Sequence, residues 1–256
     1  MNDLIETDYL VVGAGAAGMA FADALITHSD ATVTIVDRRH APGGHWIDAY
    51  PFVHLHQPSA FYGVASVPLG VDTVDRSGLN AGFYGLAGVD ELRTYYAQVM
   101  QQHFIPSRRV NYFPCYDYQG ELPSRHQLTY RLTGATHEVH VRRKVIDTTY
   151  LEGKIPATSA PPFEIADGVR CVAAGDVVHM ADRPERVVVI GAGKTAMDVC
   201  VWLLSQGVPS TAIQWVKPQE GWWLNPRFHQ PHTYLPDFYA GVGLLVRSVC
   251  GKAQFE

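Results

Sequence analysis

The chain has 256 residues, of which 47% are hydrophobic and 18% charged, and its formal net charge is −5. This composition is that of an ordinary globular protein, long enough to bury a sizeable core. The excess of acidic residues and the lack of a basic run argue against nucleic acid or an anionic membrane surface as a partner.

Cysteine use and the apolar runs narrow the class further. The four cysteines are widely spaced and form no CxxC pair, which argues against a disulfide framework, a zinc ribbon or a flavin reductase with a redox disulfide. The N-terminus, MNDLIETD, is short and acidic, unlike a signal peptide, and the apolar run 238–246 is too short to span a bilayer. We therefore expect a cytoplasmic protein.

The first organising stretch is a strand–turn–helix–strand unit. Tyr9–Val12 is a short apolar run, Gly13 to Gly18 has the pattern GAGAAG, and Met19–Leu25 has helical composition. A second apolar strand, Thr32–Val36, ends on an acid, Asp37. This arrangement is the dinucleotide-binding fingerprint, and it is favoured over a bare structural turn because both strands, the helix and the acid are present.

Each fingerprint residue type has a physical reason. Gly13 permits the tight turn, Gly15 lets the backbone approach a pyrophosphate, and Gly18 lets the helix pack closely on the strand. The diphosphate is expected at the helix N-terminus, beside Ala16 and Ala17. Asp37 is placed to accept hydrogen bonds from the ribose hydroxyls.

The middle of the chain alternates loops with regular elements. We expect an irregular loop at Pro42–Trp46, a ligand-facing or merely packed loop at Tyr50–Ser59, and mostly loop over 60–88. Asp90–Phe104 predicts an amphipathic helix and Val110–Phe113 a strand. Three further strands, Cys115–Tyr118, Gln127–Leu132 and Glu138–Val141, predict a small antiparallel meander, followed by a separate core strand, Lys144–Thr148.

A second fingerprint follows a proline-rich crossover, Leu151–Asp167. Val187–Ile190 predicts its first strand, Met197–Leu204 its helix and Thr211–Val216 its second strand. The turn between them is formed by Gly191, Ala192, Gly193, Lys194, Thr195 and Ala196. Alanine in the last position widens the helix–strand separation slightly.

The second fingerprint lacks the closing acid. Lys217 stands there instead, and a cation favours the 2′-phosphate of NADPH over the free hydroxyl of NADH. Two such turns indicate FAD in one and a nicotinamide dinucleotide in the other. The alternative, a repeat whose second site has become purely structural, is less favoured because both leading glycines are kept.

These residues resemble the class B flavoprotein monooxygenases over nearly the whole chain. Gly43-Gly44-His45-Trp46 resembles the family's GGxW flavin loop, and Tyr50-Pro51 through Pro58-Ser59 resembles the flavin-contacting segment that follows. Thr149 matches the centre of the family's ATG strand end, from which Thr148 and Tyr150 depart. In the linker signature, Gly175 and His179 fit, whereas Ala173 and Arg183 replace aromatic residues. A lone histidine such as His179 is more often structural than a ligand contact.

The resemblance implies cofactor-binding residues but no catalytic residue that we can name. For FAD they are Gly13, Gly15, Ala16, Ala17, Gly18, Asp37, Arg38, Gly44, His45, Trp46, Gln57, Ser59 and Thr149. For NADPH they are Gly191, Gly193, Lys194, Thr195, Ala196 and Lys217. We expect no metal: His54 and His56 alternate, but no third ligand is evident.

The predicted fold is α/β, with two Rossmann-like βαβ units, a small antiparallel meander in the first, and a second unit that is incomplete in length. We expect a FAD-binding domain at 1–150, a crossover linker at 151–185 and a partial NAD(P)H-binding domain at 186–256. Only about forty residues follow Lys217, whereas the family's chain returns to the FAD domain. A second chain or a missing C-terminal segment is therefore expected to complete the fold.

Three functions are compatible with this sequence. The resemblance implies a monooxygenase that passes hydride from NADPH to FAD and then uses O₂ on a small-molecule substrate. The altered linker signature allows a flavin reductase or oxidase without oxygen transfer. The short C-terminal part allows a non-catalytic dinucleotide-binding fragment or subunit.

Overall fold

The computed structural model describes residues 4–121, 125–149, 159–180, 184–219, 221, 223 and 225–231. The predicted Tyr150, Arg183 and 238–246 features lie outside these residues, as does the first half, 151–158, of the Leu151–Asp167 crossover. The strands are β1 (Leu4–Val12), β2 (Val33–Asp37), β3 (Gly63–Val64), β4 (Val67–Pro68), β5 (Val110–Pro114), β6 (Tyr116–Glu121), β7 (Arg125–Tyr130), β8 (Thr136–Asp147), β9 (Val187–Ile190) and β10 (Ile213–Val216).

Three α-helices accompany these strands in the described part of the chain: α1 (Ala16–His28), α2 (Val89–Gln98) and α3 (Lys194–Ser205). A π-helix (Val99–Phe104) continues α2. Short 3₁₀ helices occur at Gly44–Asp48, Ser59–Phe61, Ile105–Ser107, Ala174–His179, Ser210–Ala212 and Pro226–Phe228.

The chain forms two compact units. The first contains 1–51, 63–68 and 89–178, and the second contains 52–62, 69–88 and 179–256. The chain thus passes for the last time from the first unit to the second between Val178 and His179. The segments 52–62 and 69–88 belong to the second unit although they precede it in sequence, and the predicted domain boundaries at 150 and 185 stay a prediction.

The first unit is built on one six-stranded sheet in the order β5-β2-β1-β8-β7-β6. The neighbours β5, β2, β1 and β8 run parallel to one another. The pairs β8–β7 and β7–β6 are antiparallel. The predicted α/β class and the antiparallel meander are confirmed. A single residue, Cys115, separates the two edge strands β5 and β6, so the sheet folds back on itself at that corner. Cys115 adopts a left-handed backbone there, with φ of 61°.

One strand replaces two of the predicted ones. Glu138–Val141 and Lys144–Thr148 were expected as separate strands, but β8 runs unbroken through both. The reason is that β1 begins earlier than its apolar run, so that Leu4–Thr7 pairs with the first part of β8 and Tyr9–Val12 with the second. A bulge between Thr7 and Tyr9 joins the two registers, and bulges bend a strand without ending it.

The predicted helix Asp90–Phe104 changes its winding part-way. The α-helix ends at Gln98, and the π-helix that continues it keeps Val99, Met100 and Phe104 buried. The segment Pro42–Trp46, which was predicted to be an irregular loop, instead contains the start of a 3₁₀ helix at Gly44. Small departures occur at strand ends: β7 stops at Tyr130, and a 3₁₀ turn precedes β10. Periodicity alone does not distinguish these tighter or wider windings.

The fold-back of the sheet creates a shared core. Leu10 and Val36 of the parallel strands cluster with Leu128 and Val139 of the meander, and all four are at most 2% exposed. The opposite face meets α1, because a side chain on Gly18 would contact Val11 at 3.1 Å. The carboxyl ends of β1, β2 and β8 therefore meet at one edge, where the turn after β1 lies.

The second unit contains the parallel pair β9 and β10 with α3. Val189 of β9 is buried, as are three residues of α3: Ala196, Val199 and Leu203. On the other side Val188, Ile190 and Val216 are 53%, 57% and 42% exposed. Among the described residues β9 pairs with β10 only, so a parallel pair that proteins normally bury on both faces shows one apolar face to solvent.

No helix among the described residues is both long and apolar enough to cross a membrane.

An ion-pair cluster holds the bulged middle of β1 to β8. Asp8 accepts hydrogen bonds from the Thr32 backbone N–H at 2.8 Å and from Arg142 Nε at 3.1 Å. Arg143 Nε lies 3.6 Å from the same carboxylate. The Thr32 amide and then the Arg142 guanidinium lower the pKa of Asp8 from 3.8 to about 2.

The stability contributed by Asp8 is expected to fall in acid. A lowered carboxyl pKa stabilises the folded chain above about pH 4, and this contribution disappears as the pH falls through the folded pKa of about 2. In Asp8→Asn, the urea concentration at the unfolding midpoint should therefore fall less between about pH 5 and pH 3 than it does in the unaltered chain. Glu6→Gln is the matched control, since Glu6 lies 3.7 Å from Arg142 and is 59% exposed. Parallel pH profiles for Asp8→Asn and the unaltered chain would contradict the assignment.

Candidate functional site

The candidate site of the first unit lies at the carboxyl ends of three adjacent parallel strands. Gly13 follows β1, Asp37 ends β2, and Thr148 and Thr149 follow β8. Ligands of open α/β sheets bind in the crevice outside such strand ends. The fold thus brings the first glycine turn, the acid and the ATG-like segment to one edge.

The glycine turn is too tight to accept a side chain at two positions. Gly13 has φ of +104°, and its N–H donates to Val36 O at 2.8 Å. A Cβ on Gly18 would lie 2.0 Å from Gly13 O, a distance that no real contact shows. Strand and helix can therefore approach this closely only because both residues are glycine.

Thr148 supports the turn through its hydroxyl group. The sequence pattern alone indicates only that this residue departs from the family pattern. Its Oγ1 donates to Val12 O at 2.8 Å and lies 3.3 Å from Gly13 O. A Cβ on Gly13 would come within 2.6 Å of this hydroxyl. A hydroxyl residue directly after a core strand was the available signal, but its target became visible only in the fold.

Asp37 shapes the turn as well as facing the crevice. It is 5% exposed, its Oδ2 accepts from the Ala14 N–H at 2.6 Å and its Oδ1 accepts from the Arg39 N–H at 2.7 Å. Each carboxylate oxygen retains a second lone pair, so these bonds leave acceptor capacity. The neighbouring Arg38 is exposed, and its carbonyl accepts from Arg131 Nη1 at 3.0 Å.

The first turn of α1 presents backbone donors to this crevice. Its N-cap is Gly15, which has no side-chain hydrogen bond to the helix, and Ala16 and Ala17 are exposed. The first N–H groups of an α-helix have no partner within the helix, and together with the dipole they favour an anion. With the close glycine turn beside it, this helix end is suited to a diphosphate.

The Gly43-Gly44 motif packs directly on the first turn. Gly43 and Gly44 have φ of +126° and +58°, and the Gly43 N–H donates to Ala14 O at 2.8 Å. A Cβ on Gly44 would lie 2.8 Å from the Gly15 Cα. Two glycine motifs whose contacting residues are 29 positions apart in sequence thus form one backbone surface.

The two residues after Gly44 are aromatic, and their rings lie against each other. The His45 and Trp46 rings have centroids 4.6 Å apart at an interplanar angle of 37°. Partial desolvation, then the Arg39 charge, lower the pKa of His45, although the ring reaches the surface. The His45 ring is therefore biased towards its neutral form at neutral pH.

The other predicted FAD contacts fall into two groups. Thr149 lies at the crevice, where its N–H and Oγ1 donate to Asp147 Oδ1 at 2.8 and 2.7 Å. Gln57 and Ser59 belong to the second unit. Ser59 is 7% exposed, and its hydroxyl donates to Gly85 O at 3.0 Å and accepts from the Ala87 N–H at 2.8 Å. Gln57 Oε1 accepts from the Tyr62 hydroxyl at 3.4 Å.

The second glycine turn is looser than the first. Gly191 has φ of +138° and donates its N–H to Val216 O at 3.0 Å. A Cβ on Gly191 would lie 3.6 Å from Ala196 Cβ, and a Cβ on Gly193 would meet nothing within 4 Å. The Trp215 indole Nε1 donates to Gly191 O at 2.7 Å, which ties β10 to the turn.

The polar residues of the second turn already have neighbours. Lys194 forms an ion pair with Asp198 one helical turn later. Thr195 is exposed in the first turn of α3, whose N-cap Gly193 has no side-chain cap. The Lys217 Nζ lies 5.1 Å from the centroid of the Trp215 ring, a cation–π geometry that places the ammonium at the end of β10.

A Ser–His–Asp group in the first unit is a structural tie and lacks the geometry of a nucleophilic site. Ser66 donates its N–H and hydroxyl to the buried Asp23, and His103 Nε2 lies 3.0 Å from the Ser66 hydroxyl and 3.2 Å from Asp23 Oδ1. One ring nitrogen thus contacts both partners, whereas a catalytic triad uses one nitrogen for each. The described residues contain no group of three or more potential metal ligands.

The two turns are expected to respond to an added methyl group with losses of stability of different size. Gly18→Ala must displace Gly13 O and should lower the free energy of unfolding by about 1–3 kcal/mol or more. Gly193→Ala has open space and ordinary φ, so it should cost no more than about 1 kcal/mol, the preference for glycine over alanine at a helix N-cap. Urea unfolding of both variants checks this. Equal losses in the two variants would show that the close contact in the first turn is not special.

Comparison with known proteins agrees with this geometry. Residues 11–64, which span the first turn and the Gly43-Gly44 loop, match the family described as NAD(P)-binding Rossmann-like domain. The chain is 45% identical over 246 residues to Uncharacterized protein Rv2000 of Mycobacterium tuberculosis (strain H37Rv) and to Uncharacterized protein Mb2023 of Mycobacterium bovis. The match covers 96% of this chain but 45% of each relative, so the chain spans less than half of their length.

Solved structures share the fold at low identity. A double mutant of the flavin monooxygenase from Stenotrophomonas maltophilia matches with a TM-score of 0.58 at 19% identity, over 86% of this chain and 60% of that one. The flavin-containing monooxygenase from the same organism has a TM-score of 0.53 at 18% identity, covering 93% and 68%. Bacillithiol disulfide reductase Bdr (YpdA) from Staphylococcus aureus has a TM-score of 0.50 at 15% identity, covering 94% and 65%. The resemblance to flavoprotein monooxygenases is confirmed as a likeness of fold, and the first unit carries a Rossmann-like dinucleotide-binding domain.

Proposed function

We propose that this chain belongs to a FAD-dependent, NADPH-using oxidoreductase of the monooxygenase type. The observation that carries the proposal is the contact between the two glycine motifs, where a Cβ on Gly44 would lie 2.8 Å from the Gly15 Cα. This contact makes a surface of bare backbone beside an uncapped helix N-terminus. Such a surface suits a diphosphate approached by a second loop, as a flavin dinucleotide requires.

The residues of the first crevice fit FAD in chemistry and position. The N-terminus of α1 would hold the diphosphate and Asp37 the ribose, while Gly44, His45 and Trp46 would face the flavin half. When bound, FAD supplies the acceptor for hydride from NADPH and, once reduced, the electrons for O₂. The chain's own contribution is to bind, to orient and to exclude water.

The second turn would take the nicotinamide dinucleotide, with Gly191 and Gly193 at the diphosphate and Lys217 at the 2′-phosphate. This part of the proposal rests on the uncapped start of α3 and on the position of the Lys217 ammonium above Trp215 at the end of β10. The 3.6 Å spacing at Ala196 is compatible with the wider turn of NADP sites. A cytoplasmic location, expected from the sequence, is part of the proposal.

Two alternatives have specific support. The altered linker residues favour a flavin reductase or oxidase that returns electrons to O₂ without oxygenating a substrate. The exposed face formed by Val188, Ile190 and Val216 favours a chain that needs further polypeptide, in the same or a second chain, to cover β9 and β10. In that case the 256 residues alone would bind nucleotide without turnover.

Measuring how the consumed O₂ divides between hydrogen peroxide and oxygenated product distinguishes these functions. The chain, supplied with FAD and NADPH, is assayed for NADPH loss, O₂ uptake and hydrogen peroxide with a panel of soft nucleophiles and ketones. The monooxygenase proposal predicts oxygenated product at the expense of peroxide. Peroxide equal to the NADPH consumed with every compound would contradict it, and an absence of NADPH oxidation despite bound FAD would support the non-catalytic alternative.

The role of Lys217 is tested by cofactor preference. Lys217→Ala removes a charge-assisted contact to the 2′-phosphate, so the dissociation constant for NADPH should rise about tenfold while that for NADH stays unchanged. Lys144→Ala, which removes an exposed lysine of the first unit, is the charge-matched control. Equal weakening of NADPH and NADH binding by Lys217→Ala would reject a 2′-phosphate contact.

A further inference from the structure

One arginine side chain is bonded to several backbone carbonyls of the Gly44–Asp48 helix and its exit. Arg93, on α2, donates from Nε to Trp46 O at 2.9 Å. Its Nη2 donates to Ile47 O at 2.9 Å and to Ala49 O at 3.2 Å. The last carbonyls of a helix lack partners within it, and a guanidinium supplies several donors in one rigid plane. We call residues 43–49 the flavin loop.

The flavin loop connects Arg93 to the dinucleotide turn. At its start the Gly43 N–H donates to Ala14 O at 2.8 Å, and Gly44 packs on Gly15. At its end the carbonyls of residues 46, 47 and 49 are held by Arg93. The loop is therefore fixed at both ends, by the turn on one side and by α2 on the other.

A second side-chain contact to the flavin loop is weaker. Arg39 Nε lies 2.7 Å from Asp48 Oδ2, but the Asp48 side chain is 46% exposed. Exposed ion pairs contribute little, because solvent screens them and two side chains lose freedom. Arg93 is 34% exposed, and its donors reach backbone atoms, which fix the path of the chain itself.

We propose that Arg93 is a positioning residue that holds the flavin loop against the dinucleotide turn and so sets the affinity for FAD. This inference rests on the proposed function for the identity of the ligand, but the clamp itself belongs to the ligand-free chain. Without Arg93, the three carbonyls lose the guanidinium donors, so that Trp46 O keeps the Ala49 N–H at 3.4 Å but no longer has this bond to α2. Binding FAD then requires the loop to be ordered at the cost of affinity.

The test compares three variants of the full chain with the unaltered protein. Arg93→Ala should raise the dissociation constant for FAD about tenfold, because charge-assisted hydrogen bonds that order the loop are lost. Arg93→Lys should restore part of the affinity, since an ammonium reaches fewer carbonyls than a planar guanidinium. Asp90→Asn removes only the exposed partner that lies 3.4 Å from Arg93 Nη1, and it should bind FAD normally.

Hydrogen–deuterium exchange of the ligand-free chain tests the clamp without flavin. Arg93→Ala should speed exchange in the peptide that covers 43–49, including the amide of Gly43, and leave the β1 and β2 amides unchanged. Thermal unfolding of each variant shows whether the whole fold is affected.

The results distinguish a positioning role of Arg93 from a merely structural one. Faster loop exchange together with weaker FAD binding, partial rescue by lysine and an unchanged β1–β2 exchange supports the proposal. Unchanged loop exchange, or faster exchange with the same FAD affinity, overturns it. A fall in melting temperature that accounts for all lost binding also overturns it, because the role is then merely structural. If the unaltered chain binds no FAD, the proposed function fails, and exchange still decides whether Arg93 holds the loop.

Discussion

The close contact among glycine backbones at the end of β1 is the constraint on which the candidate site depends. A side chain on Gly18 would stand 2.0 Å from Gly13 O, and one on Gly44 would stand 2.8 Å from the Gly15 Cα. The first contact lets α1 begin directly above the strand ends, and the second lets the flavin loop close over the helix start. Both contacts leave bare backbone beside the N-terminus of α1, where N–H groups favour an anion.

Neighbouring residues hold this bare backbone in place from several directions. Thr148 bonds the carbonyl before the turn, Asp37 bonds the Ala14 N–H, and Arg93 anchors the flavin loop. These side chains come from the ends of β8 and β2 and from α2, so the whole first unit contributes to the geometry. The second turn is held by the Trp215 indole, which donates to Gly191 O, but its added Cβ positions are open or loosely spaced. The two turns therefore differ in how closely neighbouring atoms pack on their glycines, although their sequences are alike.

Local patterns predicted the parts of this fold that depend on local chemistry. Glycine spacing and apolar runs located β1, α1, β9 and α3, because tight turns and buried strands impose themselves on neighbouring residues. What local patterns missed depends on distant contacts. The continuity of β8 is set by pairing with Leu4–Thr7, and the roles of Thr148 and Arg93 are set by atoms 44 residues away or more. The π-helix after Gln98 keeps an apolar face that an α-helix would also show.

The central claim is that the two glycine turns serve a flavin and a nicotinamide dinucleotide in one electron path. The most direct measurement is the visible absorbance spectrum of the purified chain with FAD, recorded before and after NADPH is added without oxygen. We expect a bound-flavin spectrum that bleaches on addition of NADPH. A protein that stays colourless after FAD is added and removed by filtration would contradict the assignment of the first turn, and a bound flavin that NADPH fails to bleach would contradict the coupling of the two sites.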